Sequence, residues 1–185
     1  MMEKINFVGL AAGISSLILI AISFFIPWWQ FTASNPANVQ VRFSPVNFNL
    51  SHAGVSVAIP LVLALNIACL LTLLAGGIAL VVYALKPTKP YSKQLLGFGY
   101  KKPIYTLVAF IAILIALPII IQVFSGINVP INSSATITPH GSSQSANVST
   151  LINWPFYFAI VVTGLSIAAR MVHGKIAKSA VLPPQ

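Results

Sequence analysis

The chain has 185 residues, 57% of them hydrophobic and only 6% charged, with ten Lys and Arg against a single carboxylate side chain, giving a formal charge of +9. That composition belongs to a membrane protein and not to a water-soluble globule. The positive charge excludes little by itself: it follows from the near absence of acids, Glu3 being the only one, so nucleic acid is not an expected partner.

Four apolar runs, 7–28, 57–85, 104–124 and 151–171, each reach the length of about 20 residues needed to cross a hydrocarbon core about 30 Å thick. Lys and Arg concentrate on the cytoplasmic side of membrane proteins. Threading the runs places Lys4, Lys86, Lys89, Lys93, Lys101, Lys102, Arg170, Lys175 and Lys178 on one side and leaves Arg42 alone on the other. The expected organisation is one domain with both termini cytoplasmic: spans at 7–28, 57–85, 104–124 and 151–171, outer loops at 29–56 and 125–150, a cytoplasmic loop at 86–103 and a tail at 172–185. The fold class expected is an all-α membrane protein, a four-transmembrane-helix bundle with a small extracellular β-sheet cap from the two outer loops.

Run one carries Gly9-xxx-Gly13 beside Ala12-xxx-Ser16. Small residues four apart let helix backbones approach closely in lipid, although glycine is also common in membrane helices. The run is longer than a signal-peptide core and is followed by Ile26-Pro27-Trp28-Trp29 with no small-x-small cleavage site, so it is expected to remain as an anchor. In the first outer loop Val39, Val41 and Phe43 alternate, and Val46, Phe48 and Leu50 resume after a parity slip at Ser44-Pro45. Period two predicts strands separated by a turn or bulge. Phe43 and Phe48 are the candidates for contacts between copies.

Run two has Pro60 in its first turns and Asn66 at depth, where an amide is expected to hydrogen-bond to another helix. Cys69, the lone cysteine, excludes an intrachain disulfide and is expected to be buried. The next loop gathers Lys86, Lys89, Lys93, Lys101 and Lys102, each expected to attract anionic lipid headgroups by about 1 kcal/mol. Gly97-Phe98-Gly99 is a loop glycine pair without a phosphate-binding pattern. Run three should bend at Pro118. In the second outer loop Ile127, Val129, Ile131 and then Ile137 predict another strand, followed by a flexible low-complexity stretch at 140–147. Strands from both loops can then join one antiparallel sheet. Run four carries Gly164 and Ala168, another small-residue pair.

Trp28, Trp29 and Trp154 fall at the outer interface as an aromatic belt, with Tyr83 and Tyr105 at the inner one. Asn49, Asn132 and Asn147 open Asn-x-Ser sequons, all in the outer loops, and suggest a glycoprotein. The same loops hold no carboxylate, which suits an acidic medium because neutral polar groups keep their hydrogen bonds there.

Chemistry is not signalled. No run holds Asp, Glu or Lys in its interior, as ion or proton paths require. His52, His140 and His173 are not placed to ligate haem, and a metal shared by His52 and His140 is less expected than two ordinary surface histidines. No phosphate loop, HExxH, CxxC or GxSxG is present. No enzyme activity, cofactor or metal is expected.

Four spans, cytoplasmic termini, two ordered outer loops and the Pro27-Trp28-Trp29 exit from the first span resemble the tetraspanin and claudin families. Cys-Cys-Gly and a first-loop cysteine pair are absent. The Ile-rich helices and the Ser/Thr/Asn/Pro loops look like membrane proteins of thermoacidophilic archaea. The resemblance implies a structural organiser that self-associates laterally in the lipid bilayer, in microdomains or secreted vesicles, as a homo-oligomer or with other membrane proteins. An accessory subunit of a respiratory oxidase or translocation machine, an oligomeric pore and an archaeal viral envelope protein are the other readings open to the sequence.

Overall fold

A computed structural model of the chain describes residues 5–34, 38–125, 129–138 and 145–181. Glu3, Lys4, Ile127 and His140 lie outside these residues, as do the side chains of Lys175 and Lys178. Along the chain run α1 (Phe7–Phe25), β1 (Trp29–Ser34), β2 (Val39–Phe43), β3 (Phe48–His52), β4 (Val55–Val57), α2 (Pro60–Leu85), α3 (Ser92–Gly99), α4 (Lys101–Ser125), β5 (Ser134–Ile137), β6 (Ala146–Ile152) and α5 (Trp154–Val181). Among the described residues, four helical segments are long and apolar enough to cross a membrane. The strands form one six-stranded antiparallel sheet in the order β4-β3-β2-β1-β6-β5. The protein is therefore helix-rich with a substantial sheet, and the all-α description is corrected.

The chain divides into two compact units. The helical unit takes the first part of α1, α2 from Cys69 onward, α3, the start of α4, and α5 from Tyr157. Its chain enters through Asn6, which is fully buried. The Asn6 Oδ1 accepts from the Gly9 N–H at 3.0 Å, capping α1 as an Asn before a helix should. The Asn6 Nδ2 donates to the Tyr83 hydroxyl at 2.7 Å and to the Ala169 carbonyl at 3.4 Å, and the Asn6 N–H donates to the Ala84 carbonyl at 2.9 Å. One asparagine thus ties α1 to α2 and α5. Around it Ala12, Leu80, Tyr83, Ala84, Leu96 and Ala169 form the core.

Glycines bring these helices together. A Cβ on Gly13 would lie 2.7 Å from Val81 Cγ2, 2.9 Å from the Val81 nitrogen and 3.0 Å from the Gly77 carbonyl. One on Gly99 would lie 2.9 Å from the Gly76 carbonyl. So α1 meets α2 at Gly13 and Gly77, and α3 meets α2 at Gly99 and Gly76, with separations that no side chain could share. Gly97-Phe98-Gly99 is accordingly helix and not loop. Ser92 opens α3 buried, its hydroxyl donating to the Lys86 carbonyl.

The second unit holds the whole sheet, the last turn of α1, the first turns of α2, α4 from Val108 and the start of α5. Helix α1 stops at Phe25 because Pro27 disfavours helical geometry at Ile26. The chain then extends directly into β1, three residues short of the expected end of run one. The Ser23 and Phe24 carbonyls at this helix end accept from the Ser44 hydroxyl at 3.0 Å and the Asn47 Nδ2 at 2.9 Å. The turn between β2 and β3 therefore closes the helix end, satisfying carbonyls that lack an intrahelical donor. Helix α2 begins at Pro60, where the missing N–H costs nothing. Pro118 lies within α4.

Two expectations for the second loop change. Val129, Pro130 and Ile131 are not strand; β5 starts at Ser134. The longest strand, β6, covers 146–152 and so absorbs the end of the low-complexity stretch and the first residues assigned to run four. Helix α5 begins only at Trp154.

Candidate functional site

The sheet sorts its side chains by polarity. Pairing sets Trp29, Phe31 and Ala33 of β1 beside Phe43, Val41 and Val39 of β2 and Ile152, Thr150 and Val148 of β6. Phe48 and Leu50 of β3, Val55 and Val57 of β4, and Ala135 and Ile137 of β5 continue that face, with His52 of β3 as a polar member opposite Val39 and Val55. The opposite face carries Gln30, Thr32, Gln40, Arg42, Asn49, Ser51, Ser56, Ser134, Thr136, Asn147 and Ser149, with Leu151 as the exception. Alternation of period two gives this division directly.

On the apolar face an aromatic cluster fixes the sheet to its helices. Phe110 of α4 stacks on Phe43 at 5.1 Å and meets the Trp28 ring edge-on at 4.9 Å and Phe156 at 5.8 Å. The Trp28 Nε1 donates to the Ser23 hydroxyl at 2.7 Å, and the Trp29 Nε1 to the Ile131 carbonyl at 3.0 Å. Both indoles are 1% exposed, because their single polar group is satisfied inside the protein. Trp28 and Trp29 are thus core residues and not belt residues; Trp154 is exposed. Tyr83 is likewise buried, whereas Tyr105 is exposed.

Coverage of the apolar face is uneven. Val148 and Thr150 are buried, but Val55 and Val57 on edge strand β4 are 67% and 43% exposed. The turn before that edge, Ala53-Gly54, has φ of 50° and 83°. Two central residues with positive φ define the tight hairpin turn that matches strand twist. Glycine takes this conformation freely, and alanine does so at a cost.

On the polar face a groove of about 410 Å³ runs beside β2, β3 and β4. Its floor is Gln40, Arg42, Asn49, Ser51 and Ser56, and its other wall is Phe24, Phe25 and Pro27 at the end of α1. Arg42 sits opposite Asn49 in register. A shallower hollow of about 290 Å³ lies on the same face between β1, β5 and β6.

Asn66 donates from Nδ2 to the Ser44 carbonyl at 3.1 Å and the Pro45 carbonyl at 2.9 Å. Its partner is the β2–β3 turn and not a helix, since α2 begins close enough to that turn for the amide to reach it. Gly9 approaches Tyr83 and Ala84, so Gly9 and Gly13 make a seam inside one chain. Around Gly164 an added Cβ would meet nothing within 4 Å, and Ala168 is half-buried. Phe43 packs within the chain on Phe110 and Phe48, the latter at 6.0 Å, and both Phe43 and Phe48 are half-buried. Asn49, Asn132 and Asn147 are all exposed. The Asn132 Oδ1 accepts from the Ile152 N–H at 3.1 Å and the Asn147 Oδ1 from the Thr136 hydroxyl at 2.9 Å.

The lysines of 86–102 are not equivalent. Lys102 lies over the Phe98 ring at 4.4 Å and, with its Cβ, against Gly76, while Lys86, Lys89, Lys93 and Lys101 are exposed. Arg170 covers Tyr100 at 4.8 Å. Cys69 is half-buried. Among the described residues no three His, Cys, Asp or Glu side chains converge as metal ligands do. Comparison with protein families and with curated proteins finds no match.

Asn6, the Gly76–Gly99 contact and strand β6 were missed by sequence reasoning. Asn6 ahead of an apolar run is a helix-start signal that could have been used. Alternation through Asn147, Val148 and Ser149 marks β6, but Thr150-Leu151 break it. The glycine contact between α2 and α3 has no local signal.

Proposed function

We propose that this is an integral membrane protein, tetraspanin- or claudin-like in organisation, that acts as a structural organiser by associating laterally with copies of itself. Four apolar helices support the membrane reading. Only 28–39% of the residues in each span's most apolar stretch are buried within the chain, leaving broad apolar surface for lipid or neighbours. The lysine-rich segment 86–102 and the termini are assigned to the cytoplasm and the sheet to the outside, by the positive-inside bias.

The observation that carries the organiser reading is the open edge at β4. Val55 and Val57 are exposed on the apolar face of a terminal strand that bears neither charge nor proline. Natural sheets block such edges, and an unblocked one accepts another strand. A second copy fits this edge because two identical strands can pair about a two-fold axis without charged groups.

Two experiments test the proposal. In a Cys69→Ala background, Thr88→Cys should resist impermeant thiol reagents in intact cells and Ser149→Cys should react; the opposite pattern would reverse the topology. Val55→Lys with Val57→Lys should lower the assembly mass in lipid nanodiscs while insertion persists. An unchanged mass would remove the β4 edge from assembly.

A further inference from the structure

We infer that the groove between the end of α1 and the polar face of β2, β3 and β4 binds one anionic lipid, with its phosphate-bearing headgroup on Arg42. This rests on the membrane reading above.

Arg42 is the only formally charged side chain between residues 5 and 85 and the only one in the strand-bearing unit. It is exposed, and no carboxylate side chain exists among the described residues to neutralise it. A guanidinium offers five donors, accepts nothing and cannot shed its proton, and its planar fork matches the oxygens of a phosphate. The groups around it are neutral and hydrogen-bonding: Asn49 opposite it in register, and Gln40, Ser51 and Ser56 on the same face. They can add bonds to an anion or its glycerol without competing for the charge.

The C-terminal pole of α1, which repels anions, also borders the groove. Its Ser23 and Phe24 carbonyls are already engaged by Ser44 and Asn47. The opposing wall argues for a lipid over a soluble anion: Phe24 is 44% and Phe25 85% exposed beside the polar floor. A charged floor facing an apolar wall suits a molecule with a charged head and a hydrocarbon tail. The volume of about 410 Å³ accommodates a headgroup. Asn49 is also a sequon residue, so a glycan there would fill the same groove, and the lipid site belongs to the unmodified chain.

The test uses full-length protein made in a bacterial host without an oligosaccharyltransferase and placed in phosphatidylcholine nanodiscs. Phosphatidylglycerol is titrated in, and retained lipids are counted by native mass spectrometry. Arg42→Gln should remove one tightly retained phosphatidylglycerol per chain, weakening that site about tenfold as expected for a lost charged hydrogen bond. Lys101→Gln should leave the Arg42-dependent component in place. Phe25→Ser, at a position the chain itself leaves 85% exposed, should weaken the lipid as well and serves if Arg42→Gln misfolds. Excess inorganic phosphate should not displace the lipid. Equal retention by wild type and both groove variants would overturn the inference, and so would full displacement by inorganic phosphate, which would identify a soluble-anion site. A chain that fails to enter nanodiscs would instead refute the membrane reading.

Discussion

The helical unit and the strand-bearing unit treat their surfaces differently. In the helical unit, small residues and one buried amide turn inward: Gly13 on Gly77, Gly99 on Gly76, and Asn6 bonded to three elements. In the strand-bearing unit, polarity is divided between two sheet faces, and the apolar face is left partly open at β4. The small-residue motifs are therefore consumed in building one chain, while the sheet retains surface for a neighbour. A glycine pair in a sequence says that two helices can meet, not that they belong to different molecules.

Substitutions can break this contrast. Phe110→Ala should have the largest effect, because Phe110 is 2% exposed and joins Trp28, Phe43 and Phe156; its loss should cost about 3–5 kcal/mol. Thermal unfolding in detergent, followed by Trp fluorescence, would register it. Gly13→Leu should follow at about 3 kcal/mol, since the clash is with the backbone of α2 at Val81 and Gly77 as well as with the Val81 side chain, and the backbone cannot give way cheaply. Gly164→Leu, with open space around it, should stay within about 0.5 kcal/mol in the same assay. Equal effects at the two glycines would erase the distinction between consumed and open surfaces.

Smaller changes sharpen it. Asn66→Leu removes the donor to the Ser44 and Pro45 carbonyls and should cost about 1 kcal/mol. Hydrogen exchange should show faster opening of the β2–β3 turn. Ala53→Gly should stabilise the β3–β4 hairpin by about 0.5 kcal/mol, the left-handed penalty of alanine less the added freedom of glycine when unfolded. A loss of stability there would mean that the turn conformation differs from the one described.

Much of the architecture could be read in the sequence, because periodicity and length are local signals. Long apolar runs gave the helices, and alternation from Val39 to Leu50 gave the β2–β3 hairpin with its turn at Ser44-Pro45. Strand β6 was hidden because Leu151 and Ile152 blend into the apolar start of the next helix. The burial of Trp28, Trp29 and Tyr83 was not legible, since an aromatic at a run's end serves equally in a core or at an interface. Asn66 illustrates the same limit: its need for a partner follows from its chemistry, but the partner's identity depends on tertiary structure. The Arg42 groove was visible only as an unpaired charge until register placed Asn49, Gln40 and Ser51 around it.

Lateral self-association is read out by the mass of the native chain in lipid nanodiscs as the protein-to-lipid ratio is lowered. Dimers or larger assemblies should persist on dilution and dissociate when Val55 and Val57 are replaced by lysine. A single monomeric mass across the whole range would contradict it.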